Sequence, residues 1–287
     1  MMPARVWCWT PNPVLETKFT EGERIVSAGG KGHNVARQLC HWGLPVVSVV
    51  SKVGKEWLQV ARKDGLPIRE IPIRSIARTG WALVEGPGKR RDFFSEDPKW
   101  KTADGGRCTR FFRRNLRRGD WIVVAGSVPA GAPPRGWRTL FLGLKKQGIR
   151  IVVDGKGRLL REALEAGVEW AKGNLVEVEE TVRRKGESRC LAAMRKISKG
   201  KTSLMVTLGS RGLVLGHEGR SFKVSAPRIQ VWDATGSGDV VTAALIYGIR
   251  NGWEIGKVAG FAVWAGSENA ARRNKVVARL KRRGVFA

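Results

Sequence analysis

Short β-branched and apolar runs alternate along the chain with stretches whose apolar positions recur at helical spacing. Val46–Val50, Trp121–Ala125, Ile149–Val153, Leu204–Thr207 and Leu213–Leu215 read as strands. Several are apolar almost throughout, as strands covered on both faces must be. Asn34–Trp42, Gly136–Gln147, Leu159–Ala166, Ser188–Ser198, Val240–Arg250 and Glu254–Arg272 carry helical patterns. This alternation predicts an α/β fold in three layers, with a mostly parallel central sheet and helices on both faces. Two polar, glycine-interrupted stretches, Glu16–Ser27 and Arg74–Phe94, break the rhythm. They predict antiparallel strands that pair into a small second sheet over the main one. The basic end, Arg272–Arg283, reads as a solvated terminal helix or strand.

Length and composition narrow the class. With 287 residues and no repeat, low-complexity tract or linker, the chain reads as one domain over 1–287 with a small appendage. A hydrophobic content of 42% excludes wholesale disorder. No apolar run approaches the roughly 18 residues of a membrane span, so no membrane partner is expected. Met1–Thr10 lacks the ordered regions of a signal peptide, which predicts a cytoplasmic protein. Cys8, Cys40, Cys108 and Cys190 are far apart, and His33, His41 and His217 show no ligand spacing, so free thiols are expected rather than disulfides or zinc.

The charge is extreme: 53 Lys+Arg against 25 Asp+Glu, a net +28. Such a field permits non-specific nucleic-acid binding. However, the basic residues are spread along the whole chain, which has 12 Trp but a single Tyr. That pattern fits a compositional drift better than a nucleic-acid interface. An anionic substrate would benefit from the field in either case.

Candidate chemistry sits at two glycine turns. Asp233-Ala234-Thr235-Gly236-Ser237-Gly238-Asp239 precedes an apolar helical run. Gly236, Ser237 and Gly238 would present backbone N–H groups at a helix N-terminus, where the dipole favours phosphate. Asp239 in that first turn could take a proton from an attacking hydroxyl, or could simply cap the helix. The second turn is Gly29-Gly30-Lys31-Gly32-His33-Asn34, which opens another helix. Neither turn is a Walker A loop or a G-x-G-x-x-G fingerprint, because Val35 and Val241 stand where the last glycine would be.

Taken together, the two turns resemble the paired signatures of the phosphofructokinase-B (ribokinase-like) carbohydrate kinases, Gly-Gly-x-Gly-x-Asn early and Asp-Thr-x-Gly-Ala-Gly-Asp late. Four further segments are similar to motifs of that family, in the same order: Asn12-Pro13-Val14-Leu15-Glu16, Gly126-Ser127-Val128-Pro129-Ala130-Gly131, Lys172-Gly173-Asn174-Leu175-Val176-Glu177 and Thr207-Leu208-Gly209-Ser210-Arg211-Gly212. The Asn-Pro start and the Ser127–Pro129 segment most resemble the 1-phosphofructokinase and tagatose-6-phosphate kinase branch.

The resemblance implies a ribokinase-like fold with a β-lid over approximately 14–28 and 74–96, and ATP-dependent phosphorylation of a sugar-phosphate hydroxyl. Fructose 1-phosphate, converted to fructose 1,6-bisphosphate, is the first expectation. Tagatose 6-phosphate, fructose 6-phosphate or an unphosphorylated sugar are alternatives within the family, and a non-catalytic nucleic-acid binder on the same scaffold lies outside it. By the same resemblance Asp239 is the base, and the amides of Gly236, Ser237 and Gly238 form the anion hole. Glu16, Gly30, Lys31, Asn34, Arg78 and Ser127 hold the acceptor. Lys172, Asn174, Thr207, Gly209 and Gly212 face ATP, while Asn174 and Glu177 organise Mg2+. A homodimer through the lid is also implied. Gly173 for Pro and Ser237 for Ala are mild departures from the family pattern that keep a small backbone-defined turn, and three others matter: Glu16 replaces Asp, Gly80 replaces Asn after Arg78, and Arg91-Asp92-Phe93-Phe94 replaces Thr-Glu-x-Asn. All three fall on the acceptor side.

Overall fold

The computed structural model describes residues 4–272 except 21, 88 and 134. In chain order the first elements are β1 (Val6–Thr10), β2 (Val14–Thr20), β3 (Glu23–Gly29), α1 (Lys31–His41), β4 (Val46–Ser51) and α2 (Lys55–Ala61). Next come β5 (Ile68–Ile71), β6 (Arg78–Gly86), β7 (Lys89–Phe94), α3 (Thr102–Asn115), β8 (Trp121–Ala125), α4 (Gly136–Lys146) and β9 (Arg150–Asp154). The remainder is α5 (Gly157–Ala166), β10 (Trp170–Asn174), α6 (Leu175–Val182), α7 (Glu187–Ser198), β11 (Ser203–Thr207), β12 (Leu213–His217), β13 (Arg220–Val224), α8 (Ser237–Arg250) and α9 (Ile255–Ala270).

Nine strands form the main sheet in the order β13-β12-β11-β10-β9-β8-β1-β4-β5. All neighbouring pairs are parallel except β11 with β12 and β12 with β13, which close the edge antiparallel. The fully buried strands have the expected composition: Val46–Ser51 and Trp121–Ala125 are buried at every position. One core cluster packs α3, α4, α5, α6 and α7 on one face, and another packs α1, α8 and α9 on the opposite face. Each buried Leu, Ile or Phe in these layers contributes about 1.5–3 kcal/mol. The α/β sandwich expected from the hydrophobic pattern is the fold observed.

Several elements are not legible as such in the sequence. β1 (VWCWT) mixes two indoles with a thiol, β10 (WAKGN) carries a lysine, and α3 contains Gly105 and Gly106. In each case tertiary burial overrides local propensity. The second sheet is built from the two stretches expected, in the order β3-β2-β6-β7. It is mixed rather than antiparallel, because β2 pairs with β6 in parallel register, Val14 beside Arg78 and Glu16 beside Gly80. A parallel pair needs a long crossover, and here the connection runs through β3, α1, β4, α2 and β5.

Beyond residue 272 the basic terminal element read from the sequence lies outside the described residues. Among the described residues no disulfide forms, no cluster of His, Cys, Asp and Glu suits a metal by itself, and no helix is long and apolar enough to cross a membrane.

The topology positions a crevice. From β1 the sheet grows through β4 and β5 on one side and through β8, β9, β10 and β11 on the other. The strand order therefore reverses between β1 and β8, and ligands of open α/β sheets bind outside the carboxyl ends of the strands at such a point. The second sheet overhangs this end through the short β1–β2 connection at Pro11–Pro13.

Candidate active site

Two helix N-termini meet over the strand ends. α1 follows Gly30 (φ 138°), and it lies so close to β1 that a Cβ on Gly32 would sit 2.4 Å from the Trp9 carbonyl oxygen. α8 follows Gly236, whose φ of 78° belongs to the left-handed region that glycine tolerates. The side chain of Asn34, in the first turn of α1, donates from Nδ2 to Oδ2 of Asp239 in the first turn of α8 at 2.8 Å. Asp239 is buried. Burial pushes its carboxyl up to about 6, against the opposing pull of the Lys31 ammonium and the Asn34 hydrogen bond; the Asp154 charge adds to the rise.

The turn before α8 is pinned from α9, where Asn269 Nδ2 donates to the Thr235 carbonyl oxygen (3.1 Å) and to Ser237 Oγ (2.9 Å). The Ser237 amide donates to the Ala234 carbonyl oxygen at 3.1 Å, while the amides of Asp239 and Val240 donate to Gly236. Among the described residues, the amides of Gly236 and Gly238 have no such internal backbone partner. A binding concavity with α8's dipole behind it therefore opens at these two glycines.

Beneath the turn lies a charged cluster that the sequence reveals only in part. Asp154, at the end of β9, is fully buried, and nothing in the sequence singles it out. Its Oδ2 accepts from Lys172 Nζ at 2.8 Å and from Thr242 Oγ1 at 2.6 Å. Lys31 Nζ stands 3.9 Å from Asp154 Oδ1 and 3.4 Å from Glu177 Oε1. Burial alone would raise the Asp154 carboxyl, but Lys172 and Lys31 hold it below the usual range. In return the Asp154 charge, against burial, holds the Lys31 ammonium above its usual range. Two buried carboxyls are thus driven apart, Asp239 raised to about 6 and Asp154 held below the usual carboxylate range. Environments that separate two carboxyls in this way distinguish a proton acceptor from a fixed charge.

Asn174 and Glu177 form a capping box on α6: Asn174 Oδ1 accepts from the Glu177 amide at 2.8 Å, and Glu177 Oε2 accepts from the Asn174 amide at 2.9 Å. The helix-cap and site readings coexist, because the cap uses one carboxylate oxygen and the other faces Lys31. Lys172 is buried, with its ammonium committed to Asp154 and lying 3.4 Å from the position a Cβ on Gly238 would take. It acts from below the glycine turn. Lys31, which the resemblance placed with the acceptor, begins α1 and reaches toward the carboxylates of Asp154 and Glu177. Thr207 ends β11, and Gly209 and Gly212 turn the chain into β12. A Cβ on Gly212 would stand 1.9 Å from the Val224 carbonyl oxygen, so strand packing already requires that glycine.

The second sheet supplies the opposite wall. A cavity of about 310 Å³ is lined from the sheet by Glu16, Lys18 and Arg90 and from the helices by Asn34, Arg37 and Gly236. Arg90 bonds to Glu16 and, at 2.8 Å, to Asp92, and its Nη1 lies 3.5 Å from Asp233. Lys18 Nζ is 3.4 Å from the same Asp233. Sequence patterns do not mark Lys18 or Arg90, and they assign Asp233 no role of its own within its motif. Arg78 is instead occupied by Asp97 at 2.8 Å, its guanidinium 4.3 Å over the Phe94 ring. Asp97 also receives Asn12 Nδ2 at 2.9 Å, and Asn12 reaches Ser127 Oγ at 3.0 Å. Arg78 and Ser127 are therefore linked through Asp97 and Asn12.

Two departures from the family pattern explain one another: a Cβ on Gly80 would meet Phe94 Cδ1 at 2.8 Å, so the ring of Phe94 fills the space a larger residue 80 would need.

The donor set fits a magnesium ion shared with phosphates. Asp154 Oδ1 is a buried oxygen without a hydrogen-bond partner, and Glu177 Oε1 faces the same space. Mg2+ characteristically takes one or two protein carboxylates and completes its shell with water and substrate phosphates.

Known proteins share this fold. The model of the pfkB family carbohydrate kinases matches residues 11–278. The ATP-dependent 6-phosphofructokinase isozyme 2 of Escherichia coli is 25% identical over 267 residues, covering 90% of this chain and 86% of its own. The crystal structure of Escherichia coli phosphofructokinase-2 with substrates and products superposes with a TM-score of 0.82 at 22% identity, covering 93% of this chain and 94% of that one. A possible 1-phosphofructokinase from Thermotoga maritima gives 0.81 at 18% identity, covering 96% and 94%. With a family model matched over nearly its whole described length, the chain belongs to the pfkB family of carbohydrate kinases.

Proposed function

We propose that this phosphofructokinase-like sugar kinase transfers the γ-phosphoryl group of ATP to a hydroxyl of a phosphorylated ketohexose, with fructose 1-phosphate the first candidate. The observation that carries this reading is Asp239: a buried carboxylate, tuned to about 6, at the mouth of a glycine turn and within 2.8 Å of Asn34. An acceptor hydroxyl placed against Asp239 would lose its proton to Oδ1 or Oδ2 as its oxygen attacks the phosphorus. The bond from phosphorus to the β–γ bridging oxygen breaks, and ADP leaves with that electron pair. A base whose pKa lies near the working pH is the efficient choice for such a step.

The amides of Gly236 and Gly238 would meet the transferring phosphoryl oxygens, and Ser237 shapes their turn. Such preorganised donors contribute about 10²–10³ in rate. Lys172 adds positive charge from below. Lys31 would move from its carboxylate partners to the phosphoryl as charge gathers there. Asn174, Thr207, Gly209 and Gly212 would border the nucleotide. Asp154 and Glu177 would hold Mg2+, which neutralises phosphate charge when bound. Gly30 and Asn34 hold the sugar from the α1 side; Glu16, Arg78 and Ser127 hold it from the lid and rim.

The Asn-Pro start and the Ser127–Pro129 segment support the 1-phosphofructokinase reading, and the curated 6-phosphofructokinase relative supports fructose 6-phosphate as its rival. An ATP-consumption panel with fructose 1-phosphate, fructose 6-phosphate, tagatose 6-phosphate, ribose and adenosine separates them. Turnover highest on fructose 1-phosphate supports the proposal. Turnover confined to another acceptor refutes that choice, and no turnover on any sugar refutes the kinase reading itself.

The outer face of the lid supports a homodimer. Phe19, Trp81 and Phe93 alternate onto the face away from Glu16 and Lys18, with exposures of 40%, 46% and 55%. An apolar patch of this kind on a sheet calls for cover. Trp81→Ser together with Phe93→Ser should shift the sedimenting species from dimer to monomer, and unchanged sedimentation would place the interface elsewhere.

A further inference from the structure

Away from the crevice, between the N-terminal turns of α3 and α4, lies a second cavity of about 230 Å³. Three tryptophans form its base. Trp9 and Trp100 stack with centroids 6.2 Å apart and planes 20° apart, and Trp137 lies 5.1 Å from Trp9 and 6.1 Å from Trp100. Gly106 and Thr109 of α3 and Leu140 of α4 complete the walls. Half-buried positions at Gly105, Gly106 and Thr109, and exposed ones at Thr102 and Thr139, leave an entry from solvent.

The indole N–H groups set this cavity apart. Two other buried indoles are satisfied: Trp7 Nε1 donates to Asp120 at 3.2 Å, and Trp57 Nε1 donates to the Val14 carbonyl oxygen at 3.2 Å. Trp9 is fully buried and Trp100 is 5% exposed, yet neither Nε1 has an acceptor among the described residues. A buried donor without an acceptor is costly and rare in native proteins. Trp9 and Trp100, which carry both of these donors, line one aromatic cavity, whose wall hydroxyls of Thr109 and Thr139 already donate to the carbonyl oxygens of Gly105 and Arg135. What the site lacks is an acceptor on a flat apolar body. A cavity of about 150 Å³ already admits benzene, so there is room here for a substituted ring.

We propose that the Trp9–Trp100–Trp137 cavity is a binding site for a small neutral aromatic molecule bearing a hydrogen-bond acceptor, such as an aryl ketone. The ring stacks among the indoles, and small side-chain shifts bring the oxygen to Nε1 of Trp9 or Trp100.

The test uses the full-length protein labelled with [15N]tryptophan, titrated with acetophenone and with ethylbenzene, which has the same shape without the carbonyl. The indole N–H resonances are assigned by their loss in Trp9→Phe and Trp100→Phe. Acetophenone should shift one or both of those two resonances saturably, and ethylbenzene should bind three- to tenfold more weakly, the worth of one hydrogen bond.

Gly106→Leu should remove binding of both ligands by filling the cavity. A Cβ there meets nothing nearer than Arg110 Nη1 at 3.5 Å, so folding and sugar-kinase turnover should be unchanged. Thr109→Phe fills the same space and replaces Gly106→Leu if that variant melts early. The absence of a saturable acetophenone shift up to its solubility limit would overturn the proposal. So would equal binding of ethylbenzene, or binding that survives the filling substitutions.

Discussion

The crevice has two walls that hold their charges in different ways. On the wall made by the strand ends, Lys172 and Asp154 are almost wholly removed from solvent and joined at 2.8 Å, with Thr242 completing the carboxylate's shell. Breaking a buried pair of this kind costs about 3–5 kcal/mol, because the remaining charge has no partner. On the lid wall, Arg90 pairs with Glu16 and Asp92, whose side chains keep 23% and 39% of their exposure, and the contacts of Arg90 and Lys18 to the buried Asp233 are longer, at 3.5 and 3.4 Å. Partly exposed pairs such as those to Glu16 and Asp92 contribute about 1 kcal/mol or less each. One wall is therefore fixed by the fold, while the other can be rearranged without loss of the sheet that carries it. The lid wall also holds the departures Glu16, Gly80 and Phe94, each accommodated by a local change. On the proposed function, the transfer machinery sits where change is costly, and recognition of the acceptor sits where it is cheap.

The sharpest way to break this contrast is to substitute its catalytic edge. Asp239→Asn should lower kcat by about 10²–10⁴, the usual worth of a positioned base. It should leave nucleotide affinity, followed by calorimetry, within a few-fold. Stability should not suffer. The folded state binds the Asp239 proton more tightly than the unfolded chain does, so the ionised carboxylate destabilises the fold above about pH 6, and the variant's Tm there should equal or exceed that of the parent.

Asp154→Ala tests the fixed wall. Lys172 would be left buried and unpaired, and chemical denaturation should show a loss of about 3–5 kcal/mol. A loss below ~1 kcal/mol, the scale of an exposed pair, would remove the contrast between the walls.

Arg90→Gln tests the adjustable wall and should have a smaller effect. KM for the phosphorylated sugar should rise about tenfold, matching the loss of one charge-assisted hydrogen bond of roughly 1.5 kcal/mol. Here kcat and Tm should stay nearly constant, and a collapse in kcat with KM unchanged would move Arg90 to the transfer side. Glu16→Asp, which restores the family residue, should change the ratio of kcat/KM between two sugar phosphates by only a few-fold, and an unchanged ratio would remove Glu16 from the acceptor contacts.

The same division explains what the sequence could reveal. The strand–helix alternation and the glycine turns at Gly29–Asn34 and Asp233–Asp239 are local patterns, so a single stretch of chain is enough to show each of them. Asp154 is not of this kind, because a carboxylate ending Ile151-Val152-Val153 looks like an ordinary strand terminus until Lys172 and Thr242 are folded around it. Lys18, Arg90 and Asp233 are lost in a chain with 53 basic residues, and their meeting spans more than two hundred positions of sequence. The partners of Arg78 are hidden for the converse reason: a familiar local motif carries no sign that Asp97 and Phe94 will lie against it. The parallel β2–β6 pairing is equally hidden, since two short polar strands look alike in either orientation.

The central claim is that the crevice keeps Asp239 ready to accept a proton while Asp154 beside it stays charged. Carbon NMR of the ligand-free protein, labelled at the aspartate carboxyl carbon and assigned with Asp239→Asn, reads both groups at once. The account predicts that Asp239 titrates with a midpoint near 6 while Asp154 remains ionised below the ordinary carboxylate value of 3.8. An Asp239 midpoint at or below 3.8, or an Asp154 that protonates before it, would contradict the account.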